Sequence, residues 1–279
     1  MANMRADLMR ALDHVAALLR RLRLQRLTRW GRDVLERRLQ DGIVVRADGL
    51  RLYGGVRDRA FLYQAQTGVF EPETVGLLRR ALWPGAIVVD VGAYLGYYTI
   101  LASRIVGPQG KVLAFEPDPE SVLWLLRNVS ANHCGNVMVM AQALYDRVGK
   151  MRWHRNPTDP SKNSLAARVG AEAAMEIDCV TGDTGIPVPH VDVVKIDVEG
   201  TEPEVLRGMA QLLEQSPDPL LIVEFNPTAL AEAGNSSETL QETLDRLGFS
   251  EVGRLDEQRD LEGRLELCNL VWRRRQRRG

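Results

Sequence analysis

The feature that most limits the fold of this chain is the stretch from Ile87 to Asp118. Ile87, Val88 and Val89 run into Asp90. A glycine turn follows, Asp90-Val91-Gly92-Ala93-Tyr94-Leu95-Gly96, and then a stretch of helical character. A second apolar run, Val112 to Phe115, ends in Glu116. Strand, tight turn, helix and a second strand closed by a carboxylate form the unit that seats a nucleoside at the edge of a parallel sheet. Gly92 and Gly96 are expected to bring the backbone close to a ligand, since neither carries a Cβ. Glu116 lies where a carboxylate accepts hydrogen bonds from both ribose hydroxyls.

The spacing discriminates between nucleosides. A dinucleotide site needs G-x-G-x-x-G so that pyrophosphate rests on the helix N-terminus. This chain has D-x-G-x-x-x-G, with Tyr94 where a middle glycine would admit phosphate. Asp90, an acid leading the turn, suits a cationic ligand such as the ammonium and sulfonium of S-adenosylmethionine. The competing reading is a plain βαβ turn without a ligand.

Further along, the alternation is regular. Strands are expected at 87–92, 111–116, 137–143, 191–198 and 219–225, with helices after the first, second, fourth and fifth, and two last strands at 249–255 and 265–273. Strands alternating with helices predict a doubly wound, mostly parallel sheet with its site at the C-terminal edge. Upstream, Met4, Leu8, Leu12, Val15, Leu19 and Leu22 recur at steps of three and four, so 4–38 reads as an amphipathic helix. A hairpin is expected around Asp48-Gly49, and a helix from about Pro72 to Leu82, with Pro72 suited to a first turn. This divides the chain into an extension, 1–70, serving as lid or dimerisation element, and a catalytic domain, 71–279. Residues 144–190 are too long for one crossover. Trp153, His154 and strand-like patches there predict an ordered hairpin walling the substrate side.

Charge is unevenly spread. The net charge is −1, yet the first forty residues carry ten arginines against four acids and the chain ends RRRQRRG. No apolar stretch approaches the ~18 residues of a membrane span. Cys134, Cys179 and Cys268 are odd in number and without metal-ligand spacing, as expected of buried thiols in a reducing cytoplasm.

The second informative stretch is Val191 to Met209. Thr201 and Glu204 fit a capping box. Asp197 and Glu199 resist that account, because they end an apolar strand at the binding edge. By alternation they share a face with Lys195, and pairing with Lys195 is the competing explanation. The neighbouring strand delivers Glu224 and Asn226 to the same edge. Asp197, Glu224 and Asn226 are the ligands expected if a divalent metal is present; the reading itself needs none. Either Asp197 or Glu199 is expected to take the proton from a hydroxyl acceptor, with His154 as the outside candidate. His14, His133 and His190 lack a chemical context.

The segments DVGAYLGYYTILAS, AFEPDPES and KIDVEGTEPEVLRG resemble the FkbM family of S-adenosylmethionine-dependent methyltransferases over roughly residues 70–226. The resemblance implies a Rossmann-like, seven-stranded sheet with the last strand antiparallel, and O-methylation of a sugar, glycolipid or natural-product hydroxyl. It also implies that Gly92, Ala93, Tyr94 and Gly96 form the cofactor turn, that Glu116 anchors ribose, and that Gln142-Ala143 lies beside adenine. Two positions depart from the family's usual residues: Tyr94 stands where many relatives have asparagine, and Asn226 where they often have histidine. Competing readings are a nucleic-acid methyltransferase gripping phosphates with the arginine-rich ends, and a non-catalytic binding module. Nucleic acid is not the expected partner, because the central domain is acidic. The helix at 4–38 could instead form a homodimer or lie on a membrane surface.

Overall fold

The computed structural model describes residues 42–156, 159–166 and 172–275, with side chains of 172–174 excepted. The helix expected at 4–38 and the last arginines lie outside these residues. The chain divides into two compact units, Met1–Phe70 and Glu71–Gly279.

In the first unit, β1 (Ile43–Ala47) and β2 (Leu50–Gly54) pair antiparallel, with Ala47 opposite Leu50. Asp48 and Gly49 both take positive φ, 50° and 74°, which matches the right-handed twist of a hairpin. Ile43, Val45, Ala47, Leu50 and Leu52 are buried, the period-2 pattern of a one-sided strand pair. Helix α1 (Arg59–Thr67) packs on β1 and ends at Gly68 in the left-handed conformation. This helix was not expected: its nine residues bury only Leu62 and Ala65, too few to set a period.

The second unit opens with α2 (Pro72–Ala81), started by Pro72 at its first turn. Its core is a seven-stranded sheet with β3 (Ile87–Val91), followed by α3 (Tyr97–Val106), β4 (Lys111–Phe115), α4 (Pro119–Ala131) and β5 (Val137–Met140). One small strand and a hairpin come next: β6 (Ala143–Leu144), β7 (Gly149–Arg155) and β8 (Glu172–Val180), then the short α5 (Gly182–Gly185). The sheet resumes with β9 (Val193–Ile196), the helices α6 (Glu202–Gly208) and α7 (Ala210–Gln215), and β10 (Leu220–Phe225). It closes with α8 (Pro227–Glu232), α9 (Ser237–Arg246), β11 (Phe249–Arg259) and β12 (Leu265–Arg274).

Strand order is β11-β12-β10-β9-β3-β4-β5. The pairs among β10, β9, β3, β4 and β5 are parallel, while β12 runs antiparallel to both its neighbours. This is the expected Rossmann-like sheet. Its central strands carry continuous apolar runs because helices cover both faces: Val89, Val91, Leu113, Phe115, Val194, Ile196, Leu221 and Val223 are all buried. From β3 the chain winds outward to β4 and β5, then returns to place β9 on the other side. Beyond the ends of β3 and β9 that reversal opens the crevice where such sheets bind ligands.

The third expected strand is shorter than the reading of 137–143. It ends at Met140, and Ala143–Leu144 leaves to pair with β8, Ala143 opposite Cys179. Ala143, Trp153, Ile177 and Cys179 form an apolar cluster of their own, and burial there outweighs one more step of edge-strand pairing. The long connection is the expected hairpin, β7 against β8, in a three-stranded sheet ordered β6-β8-β7. Cys134, Cys179 and Cys268 are buried free thiols. Among the described residues no helix is long and apolar enough to cross a membrane.

Candidate active site

The turn after β3 is locked by backbone geometry. Gly92, Tyr94 and Gly96 all have positive φ, 83°, 49° and 85°. Both glycines also admit close protein packing behind the turn. A Cβ on Gly92 would lie 1.8 Å from the backbone oxygen of Asp197, and one on Gly96 would lie 2.3 Å from Leu125 Cδ1. The space they leave is filled by β9's outgoing chain and by α4. The N–H groups of Gly92 and Ala93 donate to Phe115 O at 2.9 and 3.0 Å, and that of Gly96 to Ala93 O at 2.7 Å. Tyr94 N–H donates to Glu116 Oε2 at 2.9 Å.

Asp90, expected to lead the turn toward a cation, sits beneath it instead. It is buried and accepts a 2.5 Å hydrogen bond from Thr99 Oγ1, tying β3 to α3. Burial raises its pKa, so the side chain braces the turn from inside. Glu116 is where the sequence placed it, at the end of β4. Its Oε1 accepts from Asp118 N–H at 2.8 Å, so each oxygen holds one backbone donor and keeps a lone pair. Burial pushes its pKa up to about 8. Gln142 is half-buried between β5 and β6, and Ala143 turns its side chain into the small sheet's cluster.

Two residues past Glu116, Asp118 gathers donors from three directions. It caps α4 by accepting from Glu120 N–H at 2.9 Å. Arg155 reaches it twice, Nε at 2.6 Å and Nη2 at 2.8 Å. Trp153 Nε1 and Asn163 Nδ2 donate at 3.1 and 3.2 Å. Asp118 is 2% exposed, and buried carboxylates persist where several donors converge. The insertion is thereby fastened to the strand end that carries Glu116. His154, the outside candidate, joins only through its backbone. It pairs with Ser164 at 2.9 and 3.0 Å, and Ser164 Oγ donates to the carbonyl of Glu199 at 2.9 Å.

On the other side of β3 lies a row of acids. The register sets Asp90 beside Lys195 and Val223 beside Ile196, with Glu224 directly opposite Asn269. Lys195, Asp197, Glu224 and Asn269 therefore share one face of the sheet. Lys195 Nζ donates to Asp197 Oδ2 at 2.7 Å and lies 4.8 Å from the centre of the Tyr98 ring. The pairing offered as a competing explanation thus holds for Asp197, whose side chain is still 25% exposed. Burial by itself would lower the Lys195 pKa, but the carboxylates of Asp197 and Glu71 hold it above its ordinary value. Glu71, at the head of α2 with φ 39°, accepts from Tyr98 Oη at 2.5 Å and from Asn269 Nδ2 at 2.7 Å.

Two expectations are overturned here. Glu199 does not continue the alternation of Lys195 and Asp197, because β9 ends at Ile196 and Glu199 takes φ 60° in a turn. It is nonetheless buried and close enough to perturb Glu224. Thr201 makes no capping box, since its side chain bonds no helix N–H. Instead Glu202, buried and raised by that burial to about 7, accepts from Gly200 and Val198 N–H at 3.1 and 3.3 Å. Asn226 accepts from Ala229 N–H at 3.0 Å as the cap of α8, a role the sequence reading did not give it. Among the described residues no three histidine, cysteine or acidic side chains are grouped to hold a metal ion.

Sequence reading missed Glu71, Tyr98, Asp118, Arg155, Glu202 and Asn269 as parts of this region. Asp118 before Pro119 carried a helix-start signal. Glu202 turns back on the neighbouring Val198 and Gly200, and the roles of the rest depend on contacts distant in sequence.

The profile of the methyltransferase FkbM domain matches residues 90–251. Hexuronic acid methyltransferase AglP of Haloferax volcanii is 30% identical over 147 residues, covering 52% of this chain and 58% of AglP. The chain spans about half the length of the curated relatives it matches, 58%, 39% and 60% of three of them. A candidate rRNA-methylase structure from Clostridium thermocellum aligns with a TM-score of 0.50 at 13% identity, over 75% of this chain and 96% of that one. Methyltransferase FkbM of Methylobacillus flagellatus aligns at 0.46 and 16% identity, over 77% and 54%. With more than half of its length matched by the domain profile, and the expected sheet beneath the matched motifs, the chain belongs to the FkbM methyltransferase family.

Proposed function

We propose that this chain methylates a hydroxyl of a sugar, glycolipid or other small natural product, with S-adenosylmethionine as donor. The observation that carries the reading is the seat around Glu116, a buried carboxylate with one free lone pair on each oxygen beside a rigid turn. A sulfonium nucleoside fits this seat. A dinucleotide does not, because the N–H groups of Gly92, Ala93, Tyr94 and Gly96 are spent inside the protein and cannot cradle a pyrophosphate. Glu116 would hold the ribose hydroxyls, the turn from Gly92 to Gly96 would border the methionine portion, and Gln142-Ala143 would border adenine. When bound, the nucleoside supplies a methyl group on a cationic sulfur.

The chain's own task is to bring an acceptor oxygen to within about 3–3.5 Å of that carbon and to take its proton. Asp197 suits both. The backbone of Asp197 rests against Gly92, fixing its distance to the turn. Lys195 holds one carboxylate oxygen, and the side chain's remaining exposure leaves the other for an incoming hydroxyl. Glu199 adds a second acid at the edge of the row. The insertion, fastened at Asp118, would wall the acceptor side and exclude water. Support for a saccharide comes from AglP, a relative named for hexuronic acid.

Calorimetry with S-adenosylmethionine comes first, then a screen of hydroxyl acceptors by mass spectrometry for one added methyl. Kinetics of D197N and E199Q assign the base. A kcat lower by roughly 10²–10⁴-fold is expected when the base is removed. Both variants keeping most of kcat would take the acids out of the chemistry.

A further inference from the structure

Glu224 and Asn269 pose a bonding problem within the acid row. They are directly opposed on β10 and β12, so their Cβ atoms lie about 4.5–5.5 Å apart on one face. Both are more than nine-tenths buried, at 7% and 2% exposure. Glu224 Oε2 and Asn269 Oδ1 are sealed from solvent, and neither receives a hydrogen bond. Asn269 has already committed its amide nitrogen to Glu71. Two buried acceptors with no donor are costly, and one proton on Oε2 directed at Oδ1 satisfies both. The surroundings favour that proton, since burial and the charges of Asp197, Glu199 and Glu202 raise the Glu224 pKa well above its ordinary value.

With Oε2 turned to Asn269, the other oxygen is left to accept. It is absent from the sealed unpaired atoms, which leaves it as the oxygen able to meet an acceptor. The parallel register ends with Val223 beside Ile196, and one further step along both chains brings Glu224 next to Asp197, whose charge acts on it; neighbouring strands run about 4.8 Å apart. An acceptor presenting one hydroxyl to Asp197 therefore brings the group on its adjacent carbon to Glu224. Lys195, the cation of this row, is already held by Asp197, so a carboxylate on the acceptor would meet acids.

We propose that Glu224, fixed by Asn269, is a specificity-determining residue that accepts a second hydroxyl beside the one presented to Asp197, so that the site selects an uncharged vicinal diol and rejects a carboxylate-bearing sugar. This rests on the methyltransferase reading above and departs from the hexuronic acid in the name of AglP.

The test uses the full chain saturated with S-adenosylhomocysteine. The probes are methyl hexosides of several configurations, their deoxy analogues lacking one hydroxyl of the diol, and the corresponding hexuronates. Affinities are read by ligand-observed NMR. The best hexoside should bind at least tenfold tighter than its deoxy analogue and its hexuronate. E224A should lose that margin while still binding S-adenosylhomocysteine, which shows that it has folded. E224Q should recover most of what E224A loses, because its amide donates to Asn269 and its carbonyl faces the acceptor. Equal or tighter binding of hexuronates, E224Q behaving like E224A, or no sorting among the probes would each overturn the assignment. Wild-type protein that fails to bind S-adenosylhomocysteine would sink the methyltransferase reading itself, an outcome distinct from these.

Discussion

Replacing Gly92 by alanine tests whether the turn is shaped by the protein behind it. The left-handed φ of 83° costs an L-residue about 1–2 kcal/mol. The added Cβ would also lie 1.8 Å from Asp197 O and 2.9 Å from its carbonyl carbon, so the backbone of β3 or of β9's exit must move by more than an ångström. That movement stretches the neighbouring Asp197 N–H to Val91 O bond, now 3.0 Å, at about 1 kcal/mol. It also disturbs a packed core at about 1–3 kcal/mol. Together the loss is about 3–6 kcal/mol. Gly248 supplies the control, with φ 81° and nothing within 4 Å of its would-be Cβ; G248A should show the conformational part alone. Urea unfolding of both variants gives the comparison, and calorimetry with S-adenosylmethionine should show G92A losing affinity where G248A does not. A G92A stability within about 0.5 kcal/mol of G248A, a margin typical of surface substitutions, would refute the claim that Asp197's backbone occupies this position.

Two further perturbations follow from buried carboxylates. Burial raises the Glu116 pKa from 4.5 to about 8, so its contribution to folding is full below pH 4.5 and is lost as pH climbs through 8. Ribose hydroxyls favour the ionised form, so nucleoside binding should release a proton below pH 8 and tighten as pH rises toward it. E116Q should bind more weakly and lose that dependence; calorimetry in buffers of different ionisation enthalpy showing no proton release in the wild type would contradict it. D118A strips Arg155, Trp153 and Asn163 of a shared partner, and breaking such a buried pair costs about 3–5 kcal/mol. Hydrogen exchange should rise across residues 149–180 while β3, β4 and β9 stay protected; uniform protection would contradict the fastening role.

The sheet was legible because its strands carry long apolar runs and its turns carry glycines, both set by neighbours in sequence. Glu116 was legible for the same reason, as a carboxylate placed by one strand, one turn and one helix. What escaped was set across the fold. Nothing in the motif around Gly92 reveals that Asp197's carbonyl packs against it. Asp90 read as facing a cation because its partner Thr99 lies nine residues on, past the glycine turn in the first turn of α3. Glu199 followed the alternation on paper, but a left-handed residue after Ile196 ended it. Asn226 could be counted among oxygen ligands or among helix caps, and only the backbone angle at α8 decides between them. Glu71 gave no signal at all beyond an acid before a proline, since its partners Tyr98 and Asn269 come from opposite ends of the domain.

The knot of donors on Asp118 makes the insertion separable from the strand end that carries Glu116. The hairpin that it anchors touches the strand layer through a carboxylate and a few side chains rather than through shared backbone pairing with the large sheet. Exchanging the loop between β7 and β8, with Trp153, Arg155 and Asn163 retained, should therefore graft a new acceptor wall while the donor seat two residues away keeps its shape.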